Sequence, residues 1–235
     1  GRHFCRHAER VQMLEHELGA VLPAQPALGA QRMTLRIAVN ADSLATWFVE
    51  AMAGVDGLLF ELVIDDQDHS ADWLRRGEVS AAVSGSGKPV QGCGIRPLGA
   101  LRYIATASPA FVARWFADGI DAEALARAPS LAFDAKDELQ ARWIAAAIGR
   151  PVATPVHRLP SSQAFVDAVA AGIGWGMNPL ALIASHLADG RIVALLPDRS
   201  LDVPLYWQWS RTVEPALRDV GASVIRAAGQ YLVKG

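Results

Sequence analysis

The sequence is poor in the residues that mark secreted, metal-binding and membrane-spanning chains. It holds two cysteines, Cys5 and Cys93. Their spacing fits neither a disulfide framework nor a metal-ligand motif, so a reducing, cytoplasmic compartment is expected. No apolar run approaches the roughly 20 residues of a membrane-crossing helix. The first residues, Gly1-Arg-His-Phe-Cys-Arg-His-Ala-Glu-Arg10, are charged and lack the apolar stretch of a secretory signal. Net charge is small as well, a formal -2. That excludes the broad basic footprint demanded by nucleic-acid backbones, so any DNA reader is expected outside this segment. The chain starts without Met and is expected to be part of something longer.

Motifs for catalysis and cofactors are missing too. Ser84-Gly-Ser-Gly-Lys-Pro89 superficially matches a phosphate loop, but Ala82 occupies the first required glycine position and Pro89 replaces the Ser or Thr that would hold magnesium. The glycines of Gly172-Ile-Gly-Trp-Gly-Met-Asn-Pro179 end a helix and enter a strand, the reverse of a dinucleotide fingerprint, so close backbone packing accounts for them. There is no Gly-x-Ser-x-Gly elbow. Asp65, Asp66, Asp68 and His69 follow a strand, where consecutive side chains point to opposite faces and cannot all converge on a metal. His3 and His7 are helical neighbours without a third ligand. No enzyme, cofactor or metal site is expected.

What is present is a strong folding pattern. Apolar residues make up 51% of the chain and charged ones 20%, which excludes disorder. A length of 235 residues fits one large domain or two small ones around a shared cleft. In the stretch 35–48, Leu35, Ile37 and Val39 alternate as in a strand, whereas Leu44, Trp47, Phe48, Ala51 and Met52 recur with helical spacing. The period changes across Asn40 to Ser43, where Asp42 or Ser43 is expected to cap the helix and its free N–H groups to receive an anion such as a carboxylate. An apolar run over 58–64, a helix over 71–77 capped by Ser70, and a short strand over 81–84 ending at Ser84 complete a β-α-β-α-β order. That order implies an α/β fold with a parallel sheet.

A second lobe is expected after the strand over 98–108. It contains helices near 110–116, 121–128 and 138–148 and a strand over 130–133 ending at Asp134. Pro160-Ser161-Ser162 starts another helix with two hydroxyls and so repeats the chemistry of Asp42-Ser43. Asn178 closes the glycine-rich strand. A long strand over 201–209 and a terminal helix over 215–233 return the chain to the first lobe, which gives two lobes joined by two crossings. Expected boundaries are 33–103 with 204–235 for lobe I and 104–203 for lobe II. Before them, Phe4, Val11 and Leu18 with His7, Leu14 and Val21 form a short heptad seam over 1–22, read as a dimerising arm, and 23–32 is a linker.

Ala38-Val-Asn-Ala-Asp-Ser-Leu-Ala-Thr-Trp47, Leu74-Arg-Arg-Gly-Glu-Val79, Pro97-Leu-Gly-Ala-Leu101, Ser161-Ser162 with Ala164-Phe165, and Leu205-Tyr-Trp207 resemble the effector domain of LysR-type transcriptional regulators, in particular the ArgP/LysG/IciA group. The resemblance covers essentially the whole chain. It implies a two-lobed periplasmic-binding-protein type II-like fold, two Rossmann-like subdomains with two crossovers, preceded by a partial linker helix. The winged helix-turn-helix of the family is absent from this sequence, so promoter DNA would be reached only through that missing part. The resemblance further implies an L-lysine or L-arginine effector, assembly as a dimer or tetramer, and control of basic amino-acid export. A zwitterion needs donors for its carboxylate and acceptors for its cationic groups. Ser43, Ser161 and Ser162 are the expected donors, Asp42, Asp66 and Asp134 the acceptors, and Ser84 and Asn178 further contacts. Bound between the lobes, the effector would close or rotate them. The alternative on the same architecture is a transport-type solute-binding protein for an amino acid.

Overall fold

The computed structural model describes residues 33–64 and 70–234. The expected heptad over 1–22, His3, His7, the linker, Asp65, Asp66, Asp68 and His69 lie outside the described residues. The chain divides into two compact units, one holding the residues up to Ala100 and from Pro204 onward, the other Leu101–Val203.

In the first unit β1 (Met33–Val39) pairs in parallel with β2 (Leu58–Ile64) along its full length, from Met33 opposite Leu58 to Val39 opposite Ile64. Its other edge pairs in parallel with β3 (Ala81–Ser84), Ile37 opposite Ala81. A strand held on both edges and covered on both faces selects aliphatic residues, and Leu35, Ile37, Ala38 and Val39 are fully buried. β9 (Ser200–Ser210) then pairs antiparallel with β3, Ala81 opposite Trp209 and Ser84 opposite Tyr206. The expected parallel core is therefore extended by a returning strand into a mixed sheet.

After β1 the chain turns at the buried Asn40 into helix α1 (Ala41–Ser43), a π-helical turn over Leu44–Phe48, and α2 (Val49–Ala53). Ser43, Trp47, Phe48 and Ala51 form its buried stripe. The expected capping is corrected here. The helix starts at Ala41, so the extended Asn40 holds the N-cap position without a side-chain cap bond, and Asp42 and Ser43 lie within the first turn. The Thr46 hydroxyl donates to the Asp42 carbonyl at 2.6 Å, where the widened turn loosens the backbone ladder. α2 rests on the terminal helix, α9 (Arg218–Tyr231), through a buried bond from the Ser223 hydroxyl to the Ala51 carbonyl at 2.8 Å. The helix α3 (Ser70–Arg75) opens, among the described residues, at the fully buried Ser70.

β4 (Cys93–Ala107) runs from the first unit into the second, where it pairs antiparallel with β7 (Gly176–Pro179), Tyr103 opposite Pro179, and with β8 (Val193–Ala194). β5 (Ser130–Ala132) pairs in parallel with β6 (Val156–Arg158). The helices are α4 (Pro109–Trp115), α5 (Ala122–Arg127), α6 (Leu139–Ile148), α7 (Ser162–Ala170) and α8 (Leu180–Ala188). Leu131, Phe165, Val166, Val169, Ile183 and Ile192 form one apolar core. Beside it Trp143 and Trp175 pack with ring centroids 5.3 Å apart. The alternating glycines serve close packing, as their pattern implies. A Cβ on Gly176 would lie 2.4 Å from Phe165 Cε1, and one on Gly174 2.9 Å from a Leu131 methyl carbon. Gly176→Ala should therefore cost about 1–3 kcal/mol in urea unfolding. Gly229→Ala, where nothing lies within 4 Å inside α9, should be neutral or stabilising by up to about 1 kcal/mol.

Candidate functional site

Ligands of α/β sheets collect outside the carboxyl ends of the parallel strands, because helix starts and free backbone groups gather there. In the first unit those ends hold Asn40, Asp42, Ser43 and Ser84. The β1–β3 register, Ala38 opposite Ala82, sets Asn40 level with Ser84 when continued by two residues. Ser43 is fully buried, and its hydroxyl has no hydrogen-bond partner. A buried hydroxyl left unpaired costs about 1–3 kcal/mol, a cost that a ligand carboxylate oxygen would relieve. The indole Nε1 of Trp47, one turn further along the same helix, is also buried without a partner. Asp42, the residue before Ser43, is half-buried.

Ser84 is differently placed. Its hydroxyl accepts from Gln208 Nε2 at 2.9 Å and donates to the Ser86 carbonyl at 3.3 Å, while Gln208 Oε1 accepts from Val90 N–H at 3.0 Å. Gln208 thereby pins the glycine-rich turn to β9, and Ser84 is committed to holding that turn. A fully buried glutamine within a strand is a signal that the sequence pattern concealed, since Trp207 and Trp209 surround it.

In the second unit the strand ends carry the remaining predicted residues. Asp134 follows β5, half-buried, and its Oδ1 accepts from Lys136 N–H at 2.7 Å. Ser161 caps α7 as expected, accepting from Ala164 N–H at 3.3 Å, and Ser162 opens the helix, half-buried. Asn178 on β7 is buried and donates to the Thr106 hydroxyl at 2.9 Å. Asp137, which the sequence reading passed over, accepts from Phe133 N–H at 2.8 Å and Leu139 N–H at 3.0 Å and so fixes the whole 133–139 loop. An aspartate two residues before a helix is a recognisable capping signal. Asp66 lies outside the described residues.

One pocket of about 430 Å³ lies in the first unit, among Arg36, Arg75, Arg76, Glu78, Cys93 and Thr212. None of the predicted ligand residues lines it. Its arginines are already matched by acids: Arg36 by Glu61 at 3.0 Å, Arg75 by Asp72, and Arg76 by Glu78 at 3.0 Å. Burial pushes the Cys93 thiol up against the opposing field of Arg211, so it is a poor nucleophile. Among the described residues no group of three or more His, Cys, Asp or Glu converges on a metal position. No described helix is long and apolar enough to cross a membrane.

Residues 28–228 match the model of the LysR substrate binding domain. The chain belongs to this family. It is 43% identical over 232 residues to the HTH-type transcriptional regulator LysG of Mycobacterium tuberculosis, covering 99% of this chain and 75% of that protein. Against the regulator ArgP of Pseudomonas fluorescens it is 40% identical over 236 residues, covering 99% of this chain and 79% of that one. Among solved structures, full-length LysG of Corynebacterium glutamicum with bound effector arginine superposes with a TM-score of 0.80 at 32% identity, covering 97% of this chain and 77% of that one. The α/β class and the periplasmic-binding-protein type II-like fold are those of the LysR effector domain. This LysR domain is a regulator's domain and not an enzyme. The transport alternative finds no counterpart among these relatives.

Two measurements follow from the site's geometry. Ser43→Ala removes an unpaired buried hydroxyl, so the ligand-free protein should be unchanged or more stable by up to about 1–2 kcal/mol in urea unfolding. Near the second crossing, Arg102 donates to both carboxylate oxygens of Asp202 at 2.8 and 2.7 Å. Hydrogen bonding to Arg102, and then its charge, hold the Asp202 carboxyl below its ordinary range despite some burial. A depressed carboxylate stabilises the fold above its unfolded pKa, and that contribution is lost as pH falls through the folded value. Asp202→Asn should accordingly melt lower than wild type at neutral pH, and the difference should vanish as pH drops below the carboxylate range.

Proposed function

We propose that this LysR domain senses a basic amino acid, L-arginine or L-lysine, for a regulator of basic amino-acid export or metabolism genes. The observation that carries the reading is the buried, unpaired hydroxyl of Ser43 in the first turn of a helix at the carboxyl end of β1. There the positive helix end and a free donor suit a carboxylate. Asp42 of the first unit, and Asp134, Ser161, Ser162 and Asn178 of the second, are the further contacts. The acids would receive the cationic groups of the ligand. Asp66 completes the acceptor set in this reading, and Ser84 acts by holding the turn that borders it. The arginine bound to the LysG relative supports the choice of ligand class.

Signalling requires that the ligand bind two arrangements of the domain with different affinities, because equal affinities shift nothing. The DNA step belongs to a helix-turn-helix of the kind for which the LysG and ArgP relatives are named, and the regulator would act as a dimer or tetramer.

Calorimetric titration with L-arginine, L-lysine, L-leucine and L-glutamate tests the reading. Saturable heat is expected with the basic amino acids alone, and its absence for both would refute an amino-acid effector of this class. Asp42→Ala and Asp134→Ala should each weaken the active ligand by roughly tenfold or more, the worth of a charge-assisted contact of about 1.5–3 kcal/mol. Unchanged affinity in both would remove these residues from the site.

A further inference from the structure

Gln140 is the second residue of α6 and is 6% exposed. Its Nε2 group is spent on two acceptors, the Leu131 carbonyl on β5 and Asp137 Oδ2 at 3.3 Å. This fixes which end of the carboxamide is which. The remaining atom, Oε1, is buried and has no partner. Asp137 is itself held by Phe133 and Leu139 N–H groups, so the amide, on the first turn of α6, is pinned to a fixed 133–139 loop. The same loop carries Asp134. A buried amide oxygen held open by such a frame is costly unless something donates to it in the working state.

We infer that Gln140 is a specificity-determining residue of the effector site, its Oε1 accepting an N–H from the side-chain cation of the bound basic amino acid beside Asp134. The inference rests on the effector reading above and deepens it. A guanidinium carries five N–H donors and an ammonium three, so one carboxylate leaves donors over, and a neutral acceptor satisfies them without adding a second buried charge. An aliphatic side chain of the same length places no donor at Oε1 and leaves it as unpaired as in the free protein, so discrimination comes from the bond that only the cation gains.

The test compares L-arginine with L-norleucine, which keeps the α-groups and lacks the side-chain cation. Wild type and Gln140→Met are titrated with both, norleucine by competition or ligand-observed NMR. The expected result is at least a tenfold loss of arginine affinity in the variant, with norleucine changed by no more than about twofold. Equal losses for both ligands would make Gln140 a structural prop for the Leu131 carbonyl. Unchanged arginine affinity would assign Oε1 to a buried water. Either result overturns the inference and leaves the effector reading intact. A wild-type protein that binds neither arginine nor lysine refutes the effector reading instead. Should Gln140→Met fail to fold, the wild-type carboxamide signals of Gln140 decide: they should shift on adding arginine and stay in place with norleucine, and the absence of an arginine shift overturns the inference.

Discussion

The first unit depends on the confinement of β1 between β2 and β3. Seven consecutive pairings with β2 and a second parallel edge on β3 hold β1 on both sides, and five of its seven residues are buried. The strand is therefore fixed in register, because a slip of one residue would exchange its two faces along the whole length. That register sets the position of Asn40 and of the helix that begins at Ala41, and with it Ser43. The helix is then held from its far end, where α2 meets α9 through Ser223 and Ala51. Between these two anchors lies the π-helical turn Leu44–Phe48, a widening of the kind that recurs at functional sites.

Against that well-satisfied frame the unpaired atoms are informative. Most buried polar side chains have partners: Ser84 with Gln208, Asn178 with Thr106, Ser130 with Thr154. Ser43 Oγ and Gln140 Oε1 have none. Ser43 is a hydroxyl in the first turn of a helix, and Gln140 is an acceptor on α6, just after the loop that carries Asp134. In the proposed reading, Ser43 would donate to the carboxylate of a basic amino acid and Gln140 would accept from its side-chain cation.

Much of this was legible in the residues. Alternation in 35–39 and helical spacing from Leu44 located β1 and its helix, and Pro160-Ser161-Ser162 announced the cap of α7, because each pattern is local. The exact start of the first helix was not legible. Asp and Ser are good caps by type, yet the chain turns one residue earlier because β1 must end at Val39 to keep its register with β2. The tie between Ser84 and Gln208 is not legible either, because the two lie 124 positions apart and meet only through the returning strand. Gln140 was invisible for a related reason: a polar residue in the first turn of a helix is ordinary, and only the packing of β5 against α6 buries its carbonyl.

The most direct test of the account is the structure of this domain grown with L-arginine. A ligand carboxylate oxygen is expected within about 3 Å of Ser43 Oγ, an ordinary hydrogen-bond distance. Arginine seated away from Ser43, or a Ser43 hydroxyl still unpaired in the complex, would contradict it.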